Sequence, residues 1–247
     1  MVLSGALYIE RTGIAPVHKR PKPKANLGTA ASGRVLLALL APQKAGAKWT
    51  QTRLHKYCEP GVSIGLVNKV VTHLREEAWL EQLKDGTFRV KDAIGLLEIW
   101  GKVYRFDRHR RVGYFTLLKP QELQRRLERL NEAEGEVDYA AFSAADFQSP
   151  SVRQNKTWLY VSDEALDEFV EVTEAKRVDS GENLVVLIPD DAGVFYMGDH
   201  KEGRLGCTNP VQTWLDLMHV GGRGEEAAEA VLNQCLKPVW EGNNDYV

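Results

Sequence analysis

"GVSIGLVNKVVTHLREEAWLEQLKDGTFRV", residues 61–90, decides how the first half of this chain is read. Ser63 stands before Ile64, Val67, Val70, Val71, Leu74 and Ala78, an apolar stripe at helical spacing, so a serine-capped helix is predicted. After Trp79 the period turns extended, and "EQLK" and "TFRV" flank Asp85-Gly86, the composition of a two-residue hairpin turn. Upstream, "SGRVLLALLAP" places Val35, Leu36, Leu39 and Leu40 on one helix face and stops at Pro42. "WTQTRLHKYCEPG" offers Thr50 as a cap, Leu54 with Tyr57 or Cys58 inward, and Pro60-Gly61 as a stop. Three helices followed by a hairpin are the order of a winged helix-turn-helix.

The face of the third helix opposite its apolar stripe carries Gly65, Asn68, Lys69 and Thr72, with Leu66 and His73 on the flanks and Ser63 at the start. A B-DNA major groove, roughly 12 Å wide, accepts one helix whose exposed side chains are short or hydrogen-bonding. Asn68 suits adenine, Lys69 guanine or phosphate, and Thr72 either. Lys84, Thr87 and Arg89 on the hairpin, and Arg53 and Lys56 on the preceding helix, are placed to reach phosphates, where cations release counterions without reading sequence. The bland reading of the same residues is a solvated helix face, and it weighs most on His73.

Charge favours the first reading. The 247 residues carry a net charge of −2, but residues 1–111 hold 20 Lys and Arg against 9 Asp and Glu, whereas residues 112–247 hold 12 against 25. A half at +11 joined to a half at −13 is expected when one half meets a polyanion. Mutual attraction of the two halves is the alternative. Three segments follow: a basic arm, 1–30, in which Pro16, Pro21 and Pro23 space Lys19, Arg20, Lys22 and Lys24; a DNA-binding domain, 31–111; and an acidic α/β domain, 112–247, for regulation or dimerisation.

"KDAIGLLEIWGKVYRF" predicts a fourth helix capped by Asp92, and "RFDRHRR", residues 105–111, the junction. Beyond it, "VGYFTLL", "TWLYV", "NLVVLIP" and "GVFYM" are predicted strands. "KPQELQRRLERLNEAEGE", "DYAAFSAADF" and "SDEALDEFVEVTEA" are predicted helices, the last capped by Ser162. "NPVQTWLDLMHVGGRGEEAAEAVLNQCL" gives two more helices about a glycine-rich hinge. The expected class is therefore α+β or α/β, in two domains.

Much chemistry is missing from the residues. An apolar share of 43% and a charged share of 27% describe a globular chain, and no apolar run approaches the roughly 18 residues of a membrane span, so a cytoplasmic protein is expected. Cys58, Cys207 and Cys235 form no Cys-x-x-Cys unit, and His55 with Cys58 supplies only two of the ligands a metal needs, so packed, reduced thiols are expected. There is no phosphate-binding loop and no dinucleotide fingerprint, and "GGRGEE" sets Glu225 and Glu226 where an anion would sit. Neither a cofactor nor a metal is expected. Asp190-Asp191 is the best acidic pair for a metal-dependent nuclease, but "PDDAG" is also turn composition, and no catalytic residue is assigned.

The C-terminal stretch carries a resemblance. Asn209-Pro210, Gln212, Leu215-Asp216-Leu217 and Gly222-Arg223-Gly224, followed by an alanine- and glutamate-rich helix, resemble the end of AbiEi-family antitoxin-like regulators of type IV toxin-antitoxin systems. "TWLYVSDEALDEFVEV" and "NLVVLIPDDAGVFY" are similar to the same family, so the resemblance spans roughly residues 135–235, plus a generic winged helix before it, and leaves out the arm and the fourth helix. It implies a bacterial transcriptional regulator that binds double-stranded DNA near its own operon and counters a separately encoded nucleotidyltransferase toxin without a stable complex. Such domains are also similar to restriction-endonuclease-like folds stripped of catalytic groups. Packing accounts for Leu215, Leu217 and Met218 in this signature, while Gln212, Asp216 and Arg223 are expected to form a polar network. Paired half-sites make a homodimer the expected reader. A nuclease-like DNA-processing protein and a protein-interaction adaptor are the competing functions.

Overall fold

The computed structural model describes residues 24–132, 134–200 and 204–242; most of the predicted basic arm lies outside them. Helix α1 (Ala30–Leu40) starts where the Thr29 side chain accepts the Ser32 N–H, and it buries Val35, Leu36, Leu39 and Leu40. Thr50 caps α2 (Gln51–Lys56), which buries Leu54. Ser63 caps α3 (Ile64–Glu76), which buries Val67, Val70, Val71 and Leu74. Two ends of the predicted stripe are not buried. Ile64, in the first turn, is 48% exposed, and Ala78 follows the helix in a left-handed conformation at φ 61°.

Strands β1 (Leu80–Gln82) and β2 (Phe88–Val90) pair antiparallel, Gln82 opposite Phe88. The turn is longer than predicted. Leu83 N–H donates to Thr87 O at 2.8 Å, enclosing Lys84, Asp85 and Gly86, with Gly86 at φ 82°. A three-residue loop with glycine in the left-handed position suits the strand twist as well as the shorter turn does. Trp49 adds an extended bridge beside the hairpin, exchanging hydrogen bonds with Phe88 at 2.7 and 2.8 Å. Asp92 then caps α4 (Ala93–Val103), accepting the Gly95 N–H at 2.9 Å.

A five-stranded sheet follows. It comprises β3 (Arg110–Phe115), β4 (Val137–Tyr139), β5 (Thr157–Val161), β6 (Lys176–Arg177) and β7 (Leu184–Ile188) in the order β4-β5-β7-β3-β6, parallel only between β5 and β7. The basic run expected to be a junction enters this sheet, since Arg110 and Arg111 pair with Ile188 and Leu187. Helices α5 (Pro120–Leu127), α6 (Ala141–Gln148) and α7 (Leu166–Thr173) lie between strands, and α8 (Pro210–Leu217), α9 (Gly224–Val231) and α10 (Lys237–Gly242) close the described chain. Asp138 and Tyr139, expected in a helix, belong to β4. Ser162 does not cap α7 directly; it accepts the Ala165 and Glu136 N–H groups in the turn before the helix. "GVFYM" is no strand, because Asp191 accepts the Gly193 N–H at 2.8 Å and winds Ala192–Phe195 into a 3-10 turn.

The sheet is covered on both faces, so β7 is apolar throughout. Its side chains divide by alternation. Val185 and Leu187 join a core made with α1–α4, α6, α8 and α9, whereas Leu184, Val186 and Ile188 join one made with α5 and α7. The first core runs unbroken across the charge boundary at residue 111. At one contact Gly101 of α4 packs so closely on Trp214 of α8 that a Cβ there would lie 2.9 Å from the indole. At another, the Trp240 indole N–H of α10 donates to Leu40 O at the end of α1, 3.2 Å away. Among the described residues no helix is long and apolar enough to cross a membrane.

Candidate nucleic-acid interface

Helix α3 turns its predicted reading residues outward. Gly65, Asn68 and Lys69 are exposed and Thr72 and His73 are half-buried, and all five line one shallow recess with Lys24 and Glu76. A Cβ on Gly65 would meet only Ser63 Oγ at 3.9 Å, so the glycine is not required by crowding and simply keeps the face low. Thr72 Oγ1 donates to Asn68 Oδ1 at 3.1 Å. Bidentate contact with adenine needs both the oxygen and the amine of an asparagine, so Asn68 must release Thr72 or share its oxygen to read a base. Ser63 and Leu66 serve the helix itself, Ser63 Oγ accepting the Leu66 N–H at 3.2 Å and Leu66 packing on the core. His73 Nδ1 is buried without a hydrogen-bond partner among the described residues.

The flanking cations differ in freedom. Arg53 is exposed, donates to Lys48 O at 2.9 Å and lies over the Trp49 and Tyr57 rings at 5.4 and 5.9 Å. That stacking holds a guanidinium outward in a fixed pose. Lys56 is exposed at the end of α2, and Lys84 is exposed on the hairpin loop. Thr87 is tied to Asp85 Oδ1 by its N–H at 3.0 Å and its hydroxyl at 2.5 Å. Arg89 pairs across the hairpin with Glu81 at 2.7 Å, so a phosphate would compete with a carboxylate for it. Lys24 likewise pairs with Glu77. Helix α3 packs on α2 and on β1, so one unit carries the whole set.

The acidic pair proposed for metal chemistry is divided. Asp191 accepts Arg34 Nε at 2.9 and 3.1 Å while it caps Gly193, and Asp190 is exposed. The polar network foreseen around the C-terminal signature exists but has a different membership. Asp216 Oδ1 accepts the hydroxyls of Tyr104 at 3.0 Å and Tyr160 at 2.9 Å and the amide of Gln212 at 2.8 Å. Asp216 Oδ2 has no hydrogen-bond partner among the described residues. Burial pushes the Asp216 carboxyl up to about 7. His109 joins through Nε2, 2.9 Å from the Tyr104 hydroxyl, and its Nδ1 accepts the Asp190 N–H at 3.3 Å. Burial brings its imidazole down to about 4. The acceptor role of Nδ1 puts the proton of the neutral ring on Nε2, pointing at Tyr104. Arg223 stays outside and pairs with Glu226 at 2.7 Å, since the glycine turn carries it to the surface. Nothing in the local sequence pattern of Tyr104, His109 and Tyr160 marks them as neighbours of Asp216.

A mixed α/β protein with an exposed polar helix and an acidic partner half has the build of a regulator. The family model described as "Transcriptional regulator, AbiEi antitoxin, Type IV TA system" matches residues 89–237. The chain belongs to that family of transcriptional regulators. The match begins in β2 and so takes in α4, which the resemblance had left out; α1–α3 lie before it. No curated protein and no solved structure matches.

Proposed function

We propose that the protein is a winged helix-turn-helix regulator that binds double-stranded DNA with α3 in the major groove and the β1–β2 hairpin on the backbone. The observation that carries this is the exposed face of Gly65, Asn68 and Lys69 on a capped helix, next to a hairpin widened by Trp49. Residues 31–111 are the reader, residues 112–247 an acidic module for dimerisation or partner contact, and residues 1–30 a basic arm. The protein works in the cytoplasm as a homodimer on paired half-sites. Its family points to antitoxin-like control of an operon with a nucleotidyltransferase toxin.

A gel-shift titration of the full chain against DNA from its own upstream region tests this. Affinity should fall steeply between about 50 and 200 mM salt, and Lys69→Ala with Arg89→Ala should weaken binding on every sequence tried. Unchanged binding in the double variant refutes this assignment of the reading surface.

A further inference from the structure

A cleft of about 60 Å³ lies between α1, α4 and the turn at Asp190–Val194. Its interior is apolar, made by the buried Leu37, Trp100 and Val194. Most of its charged groups are already occupied. Arg34 spends its guanidinium on Asp191 and on the carbonyls of Pro60 and Gly61, and Arg105 is held by Asp107 at 2.8 Å. His109 is bonded at both ring nitrogens. Two exposed lining groups are different: among the described residues neither the Arg108 guanidinium nor the Asp190 carboxylate forms a salt bridge, although Arg108 acts at longer range on Asp107, which is already held by Arg105, and Asp190 on the His109 ring. One cation and one anion left open beside a small apolar recess complement a molecule with one anion, one cation and a short apolar branch.

We infer that this cleft is a binding site for a small α-amino acid, with its carboxylate on Arg108, its ammonium on Asp190 and a short aliphatic side chain against Leu37, Trp100 and Val194. The site stands on the cleft alone. Its regulatory meaning rests on the DNA-reading proposal, because α1, one wall of the cleft, is the first helix of the proposed reader. A ligand there would bias how α1 sits against the sheet, and hence DNA affinity.

Calorimetry on the full chain with L-valine, isovalerate and isobutylamine tests the site, since each analogue lacks one of the two charges. Valine should bind about tenfold or more tightly than either analogue, the effect of one charge-assisted contact. Arg108→Gln should erase the advantage of valine over isobutylamine, and Asp190→Asn its advantage over isovalerate. Gly33→Val should abolish binding, because a Cβ on Gly33 already comes within 3.3 Å of Trp100 Cζ2. The two surface variants keep the test decisive if Gly33→Val fails to fold. No heat from L-alanine or L-valine up to about 10 mM, a range in which even weak sites fill, or equal binding by wild type and both charge variants, overturns the site. Gel shifts with and without valine separate the two proposals. Valine binding with unchanged DNA affinity overturns the coupling, whereas failure to bind DNA both with and without valine counts against the reader alone.

Discussion

Asp216 shows how much one side chain can hide in a sequence. Its place in Leu215-Asp216-Leu217, between two core leucines, suits a carboxylate heading inward, and Gln212 lies one turn away, but the two hydroxyls that receive it are 56 and 112 residues away. Only the fold brings them together. Its folded pKa of about 7 exceeds the ordinary 3.8, so the native state holds this proton more firmly than the unfolded chain does. The stability it confers is present below about pH 4 and is lost as pH rises through about 7. Asp138, raised by burial to about 8, acts in the same direction. His109 opposes both: with its pKa depressed from 6.5 to about 4, it adds stability above pH 6.5 that is lost as pH falls through 4. Asp216→Asn keeps an oxygen for Tyr104, Tyr160 and Gln212 and removes the charge. It should raise stability at pH 8 by about 2–4 kcal/mol and leave it nearly unchanged at pH 4. Urea unfolding at the two pH values measures this; equal gains at both would mean that the carboxylate is not the titrating cost.

At the scale of elements, most helix starts are legible from local sequence, Ser162 being the exception because it acts in the turn before α7. Thr50, Ser63 and Asp92 all cap helices where their sequence positions place them, because a cap needs only a side chain and the next turn of backbone. Ser63→Ala should therefore destabilise the chain by about 1 kcal/mol in thermal melts, with a full loss of α3 counting against a simple capping role. The hairpin was legible in its existence but not in its loop, since Asp-Gly serves both two- and three-residue turns. Gly86→Val, forced to φ 82°, should cost about 1–2 kcal/mol and, in the proposed mode of DNA binding, weaken protection by the hairpin more than protection by α3. Footprinting would separate the two. "GVFYM" and the Asp138-Tyr139 start of the α6 segment depart from expectation for one reason: short apolar runs have no period long enough to tell strand from turn or helix. There the Asp191 cap and the pairing of β4 with β5 decide.

For the molecule as a whole, charge and core give different partitions. The sequence is basic before residue 111 and acidic after it, yet Val35 and Leu36 of α1 share a core with Val211 and Leu215 of α8. That sharing could not be read from composition, because it depends on contacts between helices more than 170 residues apart in number. Trp214→Ala should open a cavity beneath α4 as well as in α8 and lower global stability by about 3–5 kcal/mol. Hydrogen exchange should then accelerate in α4 and α8 together; acceleration in α8 alone would show that the two helices unfold independently. Arg34→Ala should have a smaller effect, about 1–3 kcal/mol, because the Arg34–Asp191 pair is partly exposed.

The bond from the Trp240 indole to Leu40 O also bears on the order in which the protein is made. Leu40 O is among the last carbonyls of α1, which have no acceptor role within their own helix, and its partner is synthesised 200 residues later. During translation α1 can form, but that end of it lacks its indole partner until α10 has left the ribosome. Its final docking is therefore a late event in biogenesis, and a chain arrested before Trp240 would leave the ribosome with α1 still unsealed.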